Sequence, residues 1–182
     1  LVAHIVSARD GDIGSITDFL FDDNTWLVRW IVVDTGNWLP GRKVLLPPFV
    51  LGQGYDDEDK FFVRLSMEEL RNSPGIDPDK SVSRQMESRV YDYFGWKPYW
   101  GYDHGMGGFP YPSDGFLYPQ AISPNAAQAN GIIAREDHHL RSVSAVTGYH
   151  IHATEGEIGH VENFLIDDRD WSIRHLIVDT KD

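Results

Sequence analysis

The 182-residue chain has no cysteine, which removes disulfides, thiolate nucleophiles and Cys-ligated zinc or iron–sulfur sites together. It has no apolar run near the 18 to 20 residues of a membrane span. It has no basic surplus either: 16 Lys and Arg stand against 28 Asp and Glu, a formal charge of −12. That balance disfavours a groove for nucleic-acid phosphates, so no nucleic-acid partner is expected. The chain opens on Leu1 with no basic and apolar leader behind it. It is therefore read as a fragment or a trimmed chain, acting in the cytoplasm. With 41% hydrophobic and 13% aromatic residues it has ample material for a folded core. The length admits one full domain or two small ones.

An internal repeat decides between these. Gly11 to Thr35 (GDIGSITDFLFDDNTWLVRWIVVDT) aligns without a gap on Gly156 to Thr180 (GEIGHVENFLIDDRDWSIRHLIVDT), at an offset of 145. Twelve of the 25 positions are identical, among them Gly14, Asp22, Trp26, Arg29 and Asp34. Chance supplies one or two, so we read a duplicated β unit. Three parts follow: a first module over residues 1–80, a connector over 81–139, and an incomplete second module over 140–182.

Within the first module, His4 to Ala8, Ile13 to Phe21, Trp26 to Asp34, Arg42 to Leu46 and Lys60 to Leu65 read as strands. Glycine and proline turns separate them, and Gly14 marks a bend or a close backbone approach. Arg29, Ile31 and Val33 should share one face of their strand, with Val28, Trp30 and Val32 on the other. Ser66 and Glu69 form a capping-box pattern opening a short helix, Met67 to Asn72. Five or six short strands suggest a small rolled sheet closed into a barrel, since closure hides open edges. The fold class is thus all-β, with short helices. Only the first three strands recur in the second module, a poor independent core. Either the sequence stops short of the unit's end, which is favoured, or the first module or a second molecule completes the sheet.

Residues 84–135 carry four basic and four acidic side chains, so the negative charge lies in the chain on either side of them, about −6 each. Gln85 to Phe94 can form one helix. Tyr91 to Pro119 then carries 11 of the 23 aromatics with six glycines and four prolines, which deny it regular structure. So many rings suggest an arm packed on a module or a partner-binding surface, with Tyr99, Trp100 and Tyr102 at its centre.

The sequences GDIGSITDFLFDD and WLVRWIVVDTGNWLPGRKVLLPP, with GYHIHATEGEIGHVENFLIDD and WSIRHLIVDT, resemble the PRC-barrel family. That β-barrel occurs in the cytoplasmic part of the photosynthetic reaction-centre H subunit and in the C-terminal half of the ribosome maturation factor RimM. The resemblance spans roughly residues 1–70 and 140–182 and implies an adaptor rather than an enzyme. A bacterial, tandem-barrel protein acting through a protein partner or as a homodimer is the expected function. Peripheral association with a membrane complex is compatible with it. The alternatives are a metal- or quinone-binding protein and a modulator of electron transfer like the H subunit.

Among candidate site residues, His150 and His152 share a strand side and His160 lies on the next strand, a set that could hold zinc or nickel. The first module has Ile5, Ser7 and Ser15 there, so the shared fold does not need them, and no metal or cofactor is expected. Asp22-Asp23 and Asp167-Asp168 suit side-chain bonds to turn amides better than acid–base work. Asp56 to Asp59 lacks the ligand spacing of a calcium loop. Arg29 and Arg174 recur mid-strand with Asp34 and Asp179 five residues on, and a guanidinium there wants a carboxylate partner or anchors a binding partner. Trp26 and Trp171 should pack over the barrel end. No catalytic residue is assigned.

Overall fold

Alternating and β-branched residues in the first 35 positions give three antiparallel strands in the computed structural model, which describes residues 4–52, 60–76, 82–100 and 139–180. Strand β1 (Ile5–Ala8) pairs with β2 (Gly11–Asp22), and β2 with β3 (Leu27–Asp34). Strand β4 (Lys43–Leu46) adds to β3 with Asp34 opposite Lys43. A 3-10 turn at Pro48–Val50 leads to β5 (Leu51–Gly52), which pairs with β6 (Lys60–Val63). Strand β6 runs parallel to β1. Helix α1 (Met67–Asn72) carries the expected capping box of Ser66 and Glu69.

The expected closed barrel is not formed. The sheet is an open path, β5-β6-β1-β2-β3 and then three strands from the end of the chain, with β4 branching from β3. Pro47 and Pro48 supply no amide donors, and the 3-10 turn carries the chain from β4 to β5 without a shared ladder. The first core lies inside this roll, where Val6, Ile13, Ile16, Ile31, Val33, Leu46 and Leu70 are all buried. A second lies on the outer face of β3 and β4, where helix α2 (Arg84–Phe94) lays Val90 and Tyr91 over Trp30, Val32 and Leu45.

One face assignment needs correcting. Val28 faces the inner core with Ile31 and Val33, while Arg29 sits on the outer side with Trp30. The cause is a β-bulge: Phe21 pairs Val28 but Leu20 pairs Trp30, so Arg29 is the extra residue.

The end of the chain forms β7 (Leu140–Ser142), a one-turn helix α3 (Val143–Val146), β8 (His150–Ala153), β9 (Gly156–Asp167) and β10 (Ser172–Thr180). Strand β7 pairs β2, and β10 meets β3 at Ser172 opposite Leu27. The ladders of β8, β9 and β10 repeat those of β1, β2 and β3 pair for pair at the offset of 145. Even the slips recur, at Thr17 and Arg29 in one sheet and Glu162 and Arg174 in the other. Val161, Phe164 and Ile173 complete the inner core, so the two sheets share it. No helix among the described residues is long and apolar enough to cross a membrane.

Candidate functional site

The two hairpin tips hold most of the residues singled out above. Asp22 Oδ1 accepts the amides of Asn24 (2.9 Å) and Thr25 (3.2 Å), which folds the turn. Its other oxygen lies 3.7 Å from the buried Arg29 guanidinium, which also donates to Thr25 Oγ1 and covers the Tyr99 ring at 4.1 Å. In the second tip the exposed Arg174 faces the half-buried Asp167 at 3.5 Å and also bonds Asp170. The carboxylate partner of each arginine is thus the hairpin aspartate. Asp34 instead accepts the Gly36 amide at 2.8 Å, and Asp179 lies 3.9 Å from His160.

Trp26 and Trp171 both take left-handed backbone, φ 58° and 57°, which costs a bulky residue about 1–2 kcal/mol. Tertiary contact over-determines them. Trp26 stacks on Phe21 at 5.5 Å and Trp171 lies 6.4 Å from Phe19. Their carbonyls accept across the junction, Trp171 O from the Val28 amide and Trp26 O from the Ile173 amide. They therefore pack where the two sheets meet.

Arg169 bonds Asp167 by its guanidinium and its amide, which lowers the Asp167 carboxyl to about 2. The unfolded value is near 3.9. The stabilisation is therefore present above about pH 4 and lost as pH falls through about 2. A carboxyl-detected NMR titration should place the Asp167 midpoint near 2, moving up toward 3.9 in Arg169→Ala; a midpoint of 3.9 in the unaltered protein contradicts the assignment.

Sequence reasoning missed the densest buried polar cluster. Glu87 of α2 is fully buried and accepts from Trp30 Nε1 (2.7 Å) and from the Tyr99 hydroxyl (2.8 Å). Its second oxygen faces His139 Nε2 at 3.2 Å and Arg84 at 3.5 Å. Tyr99 and His139 also hydrogen-bond each other at 2.8 Å. Burial, with Glu87 beside it, pushes the Tyr99 phenol far above its ordinary value, so it stays a donor. Tyr91 seals the cluster edge-on to Trp30, Tyr99 and Trp100. Tyr99 and Trp100 are therefore half-buried against α2 rather than offered to solvent. Tyr102 and Asp56 to Asp59 lie outside the described residues. The missed signal is periodic: Glu87, Val90, Tyr91 and Phe94 fall at i, i+3, i+4 and i+7, which places a carboxylate on the apolar stripe.

The histidines come only partly together. His150 and His160 are opposite each other across β8 and β9, with ring centroids 6.4 Å apart, and His150 Nδ1 meets Glu157 at 2.6 Å. His152 sits opposite Glu157 past a bulge. Among the described residues no three His, Asp or Glu side chains are grouped to hold a metal ion.

What sets the second sheet apart is exposure. Ile13 and Ile31 are fully buried, whereas their counterparts Ile158 and Leu176 are 43% and 36% exposed. Val178 and Ile151 are half-buried where Val33 and Val6 are buried. In the first sheet β4 to β6 and α1 supply the cover, and among the described residues nothing stands in those places over β8 to β10. A surface depression of ≈ 280 Å³ runs beside β10, lined by Trp26, Ile173, Arg174, His175 and Leu176.

Residues 4–69 are a PRC-barrel domain by their match to that family. An uncharacterized protein of Deinococcus radiodurans is 30% identical over 79 residues, 42% of this chain and 28% of that protein. The chain thus spans little more than a quarter of the relative it matches.

Proposed function

We propose that this chain is a non-enzymatic interaction module: a PRC-barrel domain followed by a second, partial copy of the same β unit, acting through protein–protein contact. The 12 identical positions and the matching ladders support the duplicated reading. The observation that carries the function is the half-covered apolar face of β8 to β10. Burying a Leu or Ile side chain contributes about 1.5–3 kcal/mol, so Ile158 and Leu176 each leave on the order of 1 kcal/mol for a partner to realise.

The test is Ile158→Glu, a charge on a position exposed enough to leave the fold intact. Light scattering of the pure chain and mass spectrometry of proteins co-purifying with it should both show associations that the substitution abolishes. An unaltered thermal melt confirms folding. If the original protein binds nothing, or the variant keeps every association, the reading is wrong.

A further inference from the structure

We infer that His150 and His160 together hold one divalent transition-metal ion of the imidazole-seeking class (copper, nickel or zinc) on the outer face of β8 and β9. The two residues are direct partners in the β8–β9 ladder. One step along, the Val161 amide donates to the Tyr149 carbonyl at 2.9 Å, which makes His150 and His160 a non-hydrogen-bonded pair. Such pairs put their side chains on one face and bring them closest, with Cβ atoms about 4.5–5.5 Å apart. Ile151 turns to the inner core, so its neighbour His150 points outward and His160 with it.

Each ring already has a carboxylate on one nitrogen. His150 Nδ1 meets Glu157 at 2.6 Å. His160 Nε2 lies 3.9 Å from Asp179, its partner across the β9–β10 ladder. Metal-binding histidines are ordinarily anchored in this way, the carboxylate fixing the tautomer and turning the other nitrogen toward the ion. The nitrogens left for coordination are His150 Nε2 and His160 Nδ1. Both are accessible, the two side chains being 58% and 36% exposed.

The spacing suits one shared ion. An ion about 2.0–2.1 Å from a ring nitrogen lies about 3.2 Å from the ring centre. Two rings on it therefore have centres at most about 6.4 Å apart, and about 5.2 Å at a tetrahedral angle. The centroids of His150 and His160 stand 6.4 Å apart, tilted by 52°. Closing by about 1 Å takes small rotations of two exposed side chains on a backbone pair that the ladder holds fixed. Water completes the coordination, so the site needs no third protein ligand.

The fold asks for neither ring. The first module pairs Ile5 with Ser15 in these places. Ile5 is 37% exposed, so this face meets solvent in the more complete module as well. Two imidazoles also select against hard ions, because magnesium and calcium prefer oxygen ligands throughout.

The test is calorimetric titration of the full 182-residue chain, purified without an affinity tag, with zinc chloride and, as control, magnesium chloride. One zinc ion should bind per chain with a dissociation constant below about 200 µM, and magnesium should give no heat. His150→Ala and His160→Ala should each weaken zinc binding at least about tenfold, while His152→Ala and His175→Ala stay within about threefold of the original. Imidazole resonances of His150 and His160 should shift together as zinc is added. Copper should bind more tightly than zinc. Unchanged thermal melts of the metal-free variants show that folding is intact. Zinc binding weaker than about 200 µM, or binding that both the His150 and the His160 variant retain, overturns the inference. So does a loss in His152→Ala as large as that in His150→Ala, which assigns the ion elsewhere.

Discussion

Alanine at Gly14 should cost at least about 3 kcal/mol of folding stability, read by urea denaturation with far-ultraviolet circular dichroism. A Cβ there would lie 1.9 Å from the Asp34 carbonyl oxygen and 2.9 Å from its carbon, at φ 153°. Neither atom can give way, because Asp34 belongs to the β3 ladder and its neighbour residue Ser15 is its partner. The strands must part locally, breaking ladder bonds beside the buried Ile13 and Ile16. Gly36→Ala is the control: φ is 57° but nothing lies within 4 Å, so about 1 kcal/mol of backbone strain is all it should lose. Gly159 repeats the Gly14 geometry, with a Cβ 2.0 Å from the Asp179 oxygen. Gly159→Ala should disturb β8 to β10, where fewer apolar side chains are buried, while amide exchange in β1 to β6 stays slow. A Gly14→Ala protein within 1 kcal/mol of the original would show that the close approach does not constrain the fold.

Gly14 is also an instance of what could be read before any coordinates. A glycine inside a strand pattern signals close backbone approach, and the turn aspartates, the α1 cap and the strand positions follow from equally local chemistry. The bulge at Arg29 was not legible. Val28 and Trp30 are both large and apolar, so shifting the pattern by one leaves it apolar on both faces, and only the pairing with β2 shows the slip. Barrel closure failed for a similar reason, since whether β4 and β5 share a ladder depends on the path taken through Pro47 and Pro48. For Tyr99 and Trp100 an arm packed on a module and a partner surface both stayed open, because composition counts rings without orienting them. Arg84 lies over both rings, at 5.1 and 4.4 Å, and Glu87 binds the Tyr99 hydroxyl, so the helix captures them. The exposed face of β8 to β10 was legible only as a shortage of strands.

Glu87→Ala should destabilise the protein by about 3–5 kcal/mol, the usual cost of removing one member of a buried charged network. The carboxylate is the common acceptor for the Trp30 indole and the Tyr99 hydroxyl, and it faces His139 and Arg84. Truncation leaves the buried Trp30 indole N–H without this acceptor, takes one partner from the Tyr99 hydroxyl and opens a cavity between α2 and β3. Glu87→Gln keeps the shape and one acceptor oxygen but turns an amide group toward other donors, so about 1–3 kcal/mol should be lost. Tyr99→Phe removes one bond and should cost about 1–2 kcal/mol. Buried ion pairs can sometimes be replaced by apolar residues with a gain in stability, and Glu87→Leu tests that here. Leucine fills the volume but accepts no hydrogen bond from the Trp30 N–H or the Tyr99 hydroxyl. It should therefore remain at least about 2 kcal/mol below the original, and a cycle with Trp30→Phe should show a coupling near 1 kcal/mol. If Glu87→Leu melts higher than the original protein, the cluster is a tolerated defect rather than the fastening that binds α2 to the PRC-barrel domain.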